Sequence, residues 1–124
     1  MMKPYIFGIL MCAVLAQAGF SLANETRAWA VPDPWMADGP GQLSINVPSD
    51  HQGVRIEIYG SDGTFVRALV PAPQEGGAEL WLWDGRDDEG MLMPAATYLV
   101  RVCSRIRGLE TSQVFPVRLL RRAR

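Results

Sequence analysis

Four carboxylates, Asp84, Asp87, Asp88 and Glu89, crowd into one short stretch directly behind the apolar run Leu80-Trp81-Leu82-Trp83. They are the one group in the sequence that could hold a cation. Calcium takes about six to eight oxygens, and an EF-hand loop spaces its ligands at alternate positions ahead of a Gly. Here the acids are bunched and Arg86 sits among them, so the expected role is structural. Asp84 and Asp87 should hydrogen-bond turn amides, with Arg86 paired to a neighbouring carboxylate. A glycosidase would need two acids held apart across a sugar bond, which carboxylates on a single exposed turn do not offer. The single His, His51, lies in the turn from Pro48 to Gly53, with nothing nearby to orient it as a base for a Ser or Cys nucleophile. It is expected to be solvated. Cys103 alternates with Leu99 and Arg101 on one strand face, opposite Tyr98, Val100 and Val102, and reads as a partly buried inert thiol, with an intermolecular disulfide as the alternative. The sequence therefore predicts no enzyme, no metal and no cofactor.

The elements that position these residues are strands. Trp81 and Trp83 share one face of a strand and Leu80 and Leu82 the other, because side chains two apart point the same way. Asp84-Gly85 is a turn signal, since Gly accepts positive φ and Asp bonds its own backbone two residues on. Gly90 closes the turn, and the apolar run Thr97 to Cys103 follows Pro94, so a hairpin is expected. Upstream, Gln42 to Val47 alternates Leu43, Ile45 and Val47 with polar neighbours, and Gly53 to Tyr59 places Val54, Ile56 and Ile58 opposite Arg55, Glu57 and Tyr59. Gly60 to Gly63 connects this strand tightly to Thr64–Val70, a second hairpin. Pro71 to Gly77 is a loop, and Arg105 to Thr111 is a turn before the last strand, Ser112 to Leu120. About seven short strands with no helical period define an all-β sandwich.

The first residues belong to a different class. Lys3, the only Lys, precedes an uncharged run from Tyr5 to Ala16 and then small residues, the layout of a secretory signal peptide. The run is short of the about 20 apolar residues that span a bilayer. Residues 1–23 are read as a signal peptide cleaved after Ala23, with an uncleaved anchor, and so membrane contact through the leader, as the alternative. Met11 before Cys12 and the apolar Ala13 to Ala16 after it argue against a lipid anchor. Loss of Cys12 with the leader would leave Cys103 alone, and an intrachain disulfide is not expected. Over the 124 residues, 13 acidic residues face 12 Lys and Arg. So even a balance lacks the clustered basic face of a nucleic-acid binder. Only Arg118, Arg121, Arg122 and Arg124 make a local positive patch, and 121–124 reads as a solvated basic tail.

Between leader and sandwich, residues 24–41 carry Pro32, Pro34 and Pro40 with Trp29 and Trp35, and read as an extended arm. Either these Trp side chains cap the sandwich or the arm presents them to a partner. The expected core is Trp81, Trp83, Tyr98, Val100, Val102, Val66, Ile56 and Ile58. The expected structural turn is Asp84, Gly85, Asp87 and Gly90. Leu80 and Leu82, with Leu99 on the neighbouring strand, form a candidate partner surface to which Trp29 and Trp35 are added, unless one of these Trp side chains covers it.

From about Ile45 to Leu119 the chain resembles the immunoglobulin-like domain of the flagellar hook-capping protein FlgD and its relatives. The motifs that carry the likeness are Ile58-Tyr59, Asp62-Gly63, Val66-Arg67-Ala68-Leu69, Gly76-Gly77, Trp83 to Asp87 with Gly90, Pro94, and Thr97-Tyr98. Ala96 departs from the pattern, where the family usually has Gly two residues before the Tyr. The resemblance implies an immunoglobulin-like or fibronectin III-like sandwich over residues 42–120, acting as a scaffold or adaptor outside the cytoplasmic membrane. The expected function is a non-catalytic exported binding or structural module with a protein partner. The alternative is a carbohydrate-binding or periplasmic accessory protein of an envelope enzyme.

Overall fold

The structure, a computed structural model, describes residues 27–39, 41–72 and 79–122. Residues 1–26, which include the expected leader, and the Gly-rich part of the loop before the Trp strand lie outside the described residues. Eight strands follow in order: β1 (Trp29–Val31), β2 (Trp35–Met36), β3 (Leu43–Asn46), β4 (His51–Gly60), β5 (Phe65–Ala68), β6 (Leu80–Trp83), β7 (Ala96–Ile106) and β8 (Leu109–Leu120). They form a three-stranded sheet, β1-β3-β6, packed on a five-stranded sheet, β2-β8-β7-β4-β5. The all-β sandwich read from the alternation of the strands is the fold observed.

The two inner faces make the core. Leu43, Ile45, Trp81 and Trp83 come from the small sheet, and Ile56, Ile58, Val66, Tyr98, Val100, Val102, Val117 and Leu119 from the large one, all of them buried. Each such burial contributes about 1.5–3 kcal/mol. The β4–β5 hairpin forms as its turn residues dictate: Gly63 N donates to Gly60 O, and Thr64 N donates to the Asp62 carboxylate. That bond holds the Asp62 carboxyl below its ordinary range.

The hairpin expected between the Trp strand and the run Thr97 to Cys103 does not form. β6 pairs with β3, whereas β7 pairs with β4 and β8. Trp83 and Tyr98 therefore face each other across the core, with ring centroids 5.3 Å apart at 72°. The reason is in the side chains: both runs carry bulky residues that need the same interior, and placing them in opposite sheets lets them interlock edge to face.

The expected arm is part of the sandwich. β1 pairs antiparallel with β3 in one sheet, and β2 pairs parallel with β8 in the other. Pro32 and Pro34 lie between and have no N–H for a ladder. The first strand therefore leaves one sheet and resumes in the other. Its upstream end is held by a side chain, as the Gln113 amide accepts from Ala28 N at 2.9 Å and donates to Ala28 O at 2.8 Å. Nor is Arg121 a solvated tail residue: its guanidinium donates to Met93 O and to Asp38. Residues 123–124 lie outside the described part.

Candidate functional site

The acidic turn is a self-contained hydrogen-bond network. Asp84 Oδ1 accepts from Arg86 N and from the Arg67 guanidinium, the latter at 2.9 Å, and Asp87 Oδ1 accepts from Glu89 N and Met91 N. The main partner of Arg86 is Gly90 O at 2.8 Å, with Asp84 at 4.0 Å. Trp83 anchors the turn from below, its indole N–H donating to Arg86 O at 2.9 Å. Asp88 N donates to Val66 O and ties the turn to β5. Gly85 is buried at φ +82, and a Cβ there would stand 3.3 Å from the Trp35 ring, so the position needs both the left-handed conformation and the missing side chain. Tyr98 closes the far side by donating to Pro94 O at 2.6 Å, and burial pushes its phenol pKa up, which keeps the donor proton in place. Among the described residues no three His, Cys, Asp or Glu side chains converge as a metal site. Chemically, the turn acts as a clasp for the Trp83 corner of the core.

Two residues of possible reactivity differ from expectation. His51 is buried, not solvated, because β4 starts at His51 and pairs it with Ile106; its Nδ1 lies 2.6 Å from Ser104 Oγ, which in turn meets Thr111 Oγ1 at 3.2 Å. Cys103 is also buried, where the sequence reading expected a partly buried residue.

The candidate surface residues fall in three places. Register puts Trp29, Asn46 and Leu80 in one row and Val31, Ser44 and Leu82 in the next, all on the outer face of the small sheet. Trp29 is 52% exposed, Val31 47% and Leu82 36%. Trp35, offered from the sequence as a surface residue, is instead core: it is 3% exposed and its ring centroid stands 5.7 Å from that of Trp83. Leu99 lies on the outer face of the other sheet, where it lines a hollow of about 180 Å³ with Tyr59, Gly63, Arg101 and Val114. Val31 had not been singled out, although its alternation with Trp29 could have signalled it.

On that second outer face Glu57 is only 3% exposed, opposite Arg101 in the register. Burial raises its carboxyl above the ordinary 4.5, against the opposing pull of Arg55 and Arg101. The unfolded chain thus gives up this proton first, and the stability gained from the protonated acid is full below about pH 4.5 and lost as pH rises through the folded-state value. Glu57→Gln removes this loss. The melting temperature of the variant relative to the parent should rise between pH 4 and pH 7; a constant difference would refute the assignment.

Fold and site together define an immunoglobulin-like β-sandwich with a structural acidic turn and an apolar outer sheet face. Residues 33–107 match the FlgD Ig-like domain, and the chain belongs to that family. Among solved structures, PorZ, described as an essential bacterial surface component of the type-IX secretion system of Porphyromonas gingivalis, is 17% identical with a TM-score of 0.55 over 76% of this chain. The likeness is one of fold, and the chain spans 11% of the length of PorZ. FlgD from P. aeruginosa is 23% identical with a TM-score of 0.47, the match covering 75% of this chain and 73% of that one. No curated protein matches the chain.

Proposed function

We propose that this chain is an exported, non-catalytic binding module of a cell-envelope or extracellular assembly, and that it meets a protein partner through Trp29, Val31, Leu80 and Leu82. The observation that carries the reading is the register that sets these apolar side chains on one outer sheet face around Ser44 and Asn46. A small domain rarely leaves such a face without use, and aromatic anchors dominate protein interfaces. Membership of the FlgD Ig-like family supports an adaptor role, and the surface location described for PorZ is in keeping with export. A sugar platform is favoured less, because Trp35, Trp81 and Trp83 are buried and leave Trp29 as the single exposed indole.

Leu80→Asp, Leu82→Asp tests this surface. The variant should keep its circular dichroism and melting transition, while binding to the protein captured from envelope extract by the parent weakens about tenfold or more, the equivalent of about 1.4 kcal/mol. Equal capture by both proteins would exclude this face. For export, Asn24 is the expected N-terminal residue of the processed chain; recovery of intact Met1 from the envelope fraction would contradict cleavage after Ala23.

A further inference from the structure

We propose that segment 27–39 is an exchangeable first strand, and that a second copy of this chain takes it up in place of its own. The segment is held to the body by two short ladders and by separable side-chain contacts. β2 is two residues long, and Pro32 and Pro34 interrupt the ladder before it. Besides the three-residue β1–β3 ladder and the bond from Ala37 N to Leu120 O, the segment is held by side-chain latches onto β8 and the core. Gln113 holds Ala28, Asp33 accepts from Arg118 N at 3.0 Å, and Asp38 accepts from the Arg121 guanidinium and from Arg122 N, both at 2.8 Å. Trp35 lodges against Trp83 and above Gly85.

Charge matches the segment to its seat: its two acids, Asp33 and Asp38, pair with Arg118 in β8 and Arg121 just beyond it. The same residues stand on every copy, so a neighbour's segment can make the same contacts. The indole N–H of Trp35 is buried without an acceptor. Withdrawal returns that donor to water, which lowers the cost of leaving the seat. Gly41 precedes β3 at φ +89, a left-handed conformation that only Gly adopts at no cost. Exchange conserves the contacts, and the resulting dimer forms by mass action as concentration rises.

The test uses the full sequence expressed in an exporting bacterium and purified as processed there. Asp38→Cys, Arg121→Cys places two thiols at the latch while leaving Trp35 and Gln113 in place, and a flexible bismaleimide joins them. Dilute protein should give cross-links within a chain; concentrated protein should give cross-links that join two chains, seen as a covalent dimer on a denaturing gel. A synthetic peptide of residues 27–39, in excess, should suppress the covalent dimer. Cross-links confined to single chains at every concentration would overturn the proposal. So would a dimer in sedimentation whose 38–121 cross-links remain within each chain, because it would have formed through another face.

Discussion

Trp83→Ala should abolish the cooperative thermal transition. Trp83 has no exposed surface, packs at a tilt against Trp35 and edge to face against Tyr98, and donates its indole N–H to Arg86 O at 2.9 Å. Truncating a buried Trp costs about 3–5 kcal/mol from the lost transfer energy and the cavity left behind. This variant also leaves Arg86 O without its donor and removes the anchor of the acidic turn. Against the about 5–15 kcal/mol that holds a domain of this size together, the native state would be largely lost at 37 °C. Urea and thermal denaturation followed by circular dichroism check this. A variant melting within a few degrees of the parent would show that the Trp83 corner is not the centre of the core.

The second large effect is expected at Gln113, far from any motif. Its amide occupies both the N–H and the C=O of Ala28, a residue only 4% exposed. Gln113→Met keeps the length of the side chain and removes both hydrogen-bonding groups. Two buried backbone groups then lack partners, at about 1–3 kcal/mol each. The melting temperature should fall by at least about 8 °C, given about 4–8 °C per kcal/mol for a small domain. Hydrogen exchange should speed up at Trp29–Val31 before it does in β7. A fall of only about a degree would mean that water replaces the amide.

The sequence was informative wherever the physics was local. Period-two alternation marked β3, β4, β6 and β7, because each strand must show one face to the interior and one outwards. The turn chemistry of Asp84, Gly85, Asp87 and Gly90 was legible because a carboxylate accepting an amide two residues on is a contact within a few bonds. Those signals, with the family motifs, determined the fold class before any strand was paired.

Pairing was decided only in the tertiary structure. Whether β6 joined β7 or β3 depended on how Trp81, Trp83 and Tyr98 could share one interior, and adjacency along the chain pointed to the wrong partner. The same holds for segment 27–39. Its prolines announced an extended chain, but the burial of Trp35 followed from a seat built by Trp83 and Gly85 more than forty positions away. Gln113 meets Ala28 across 85 positions, a separation at which no spacing rule operates. Glu57 lies on the row opposite Ile56 and Ile58, as the alternation indicates, and is nevertheless buried. Local sequence thus determined which residues turn inward and where the chain turns; which edges meet, and so which apolar side chains stay exposed, was set by the packing of two sheets whose contacts lie far apart in the chain.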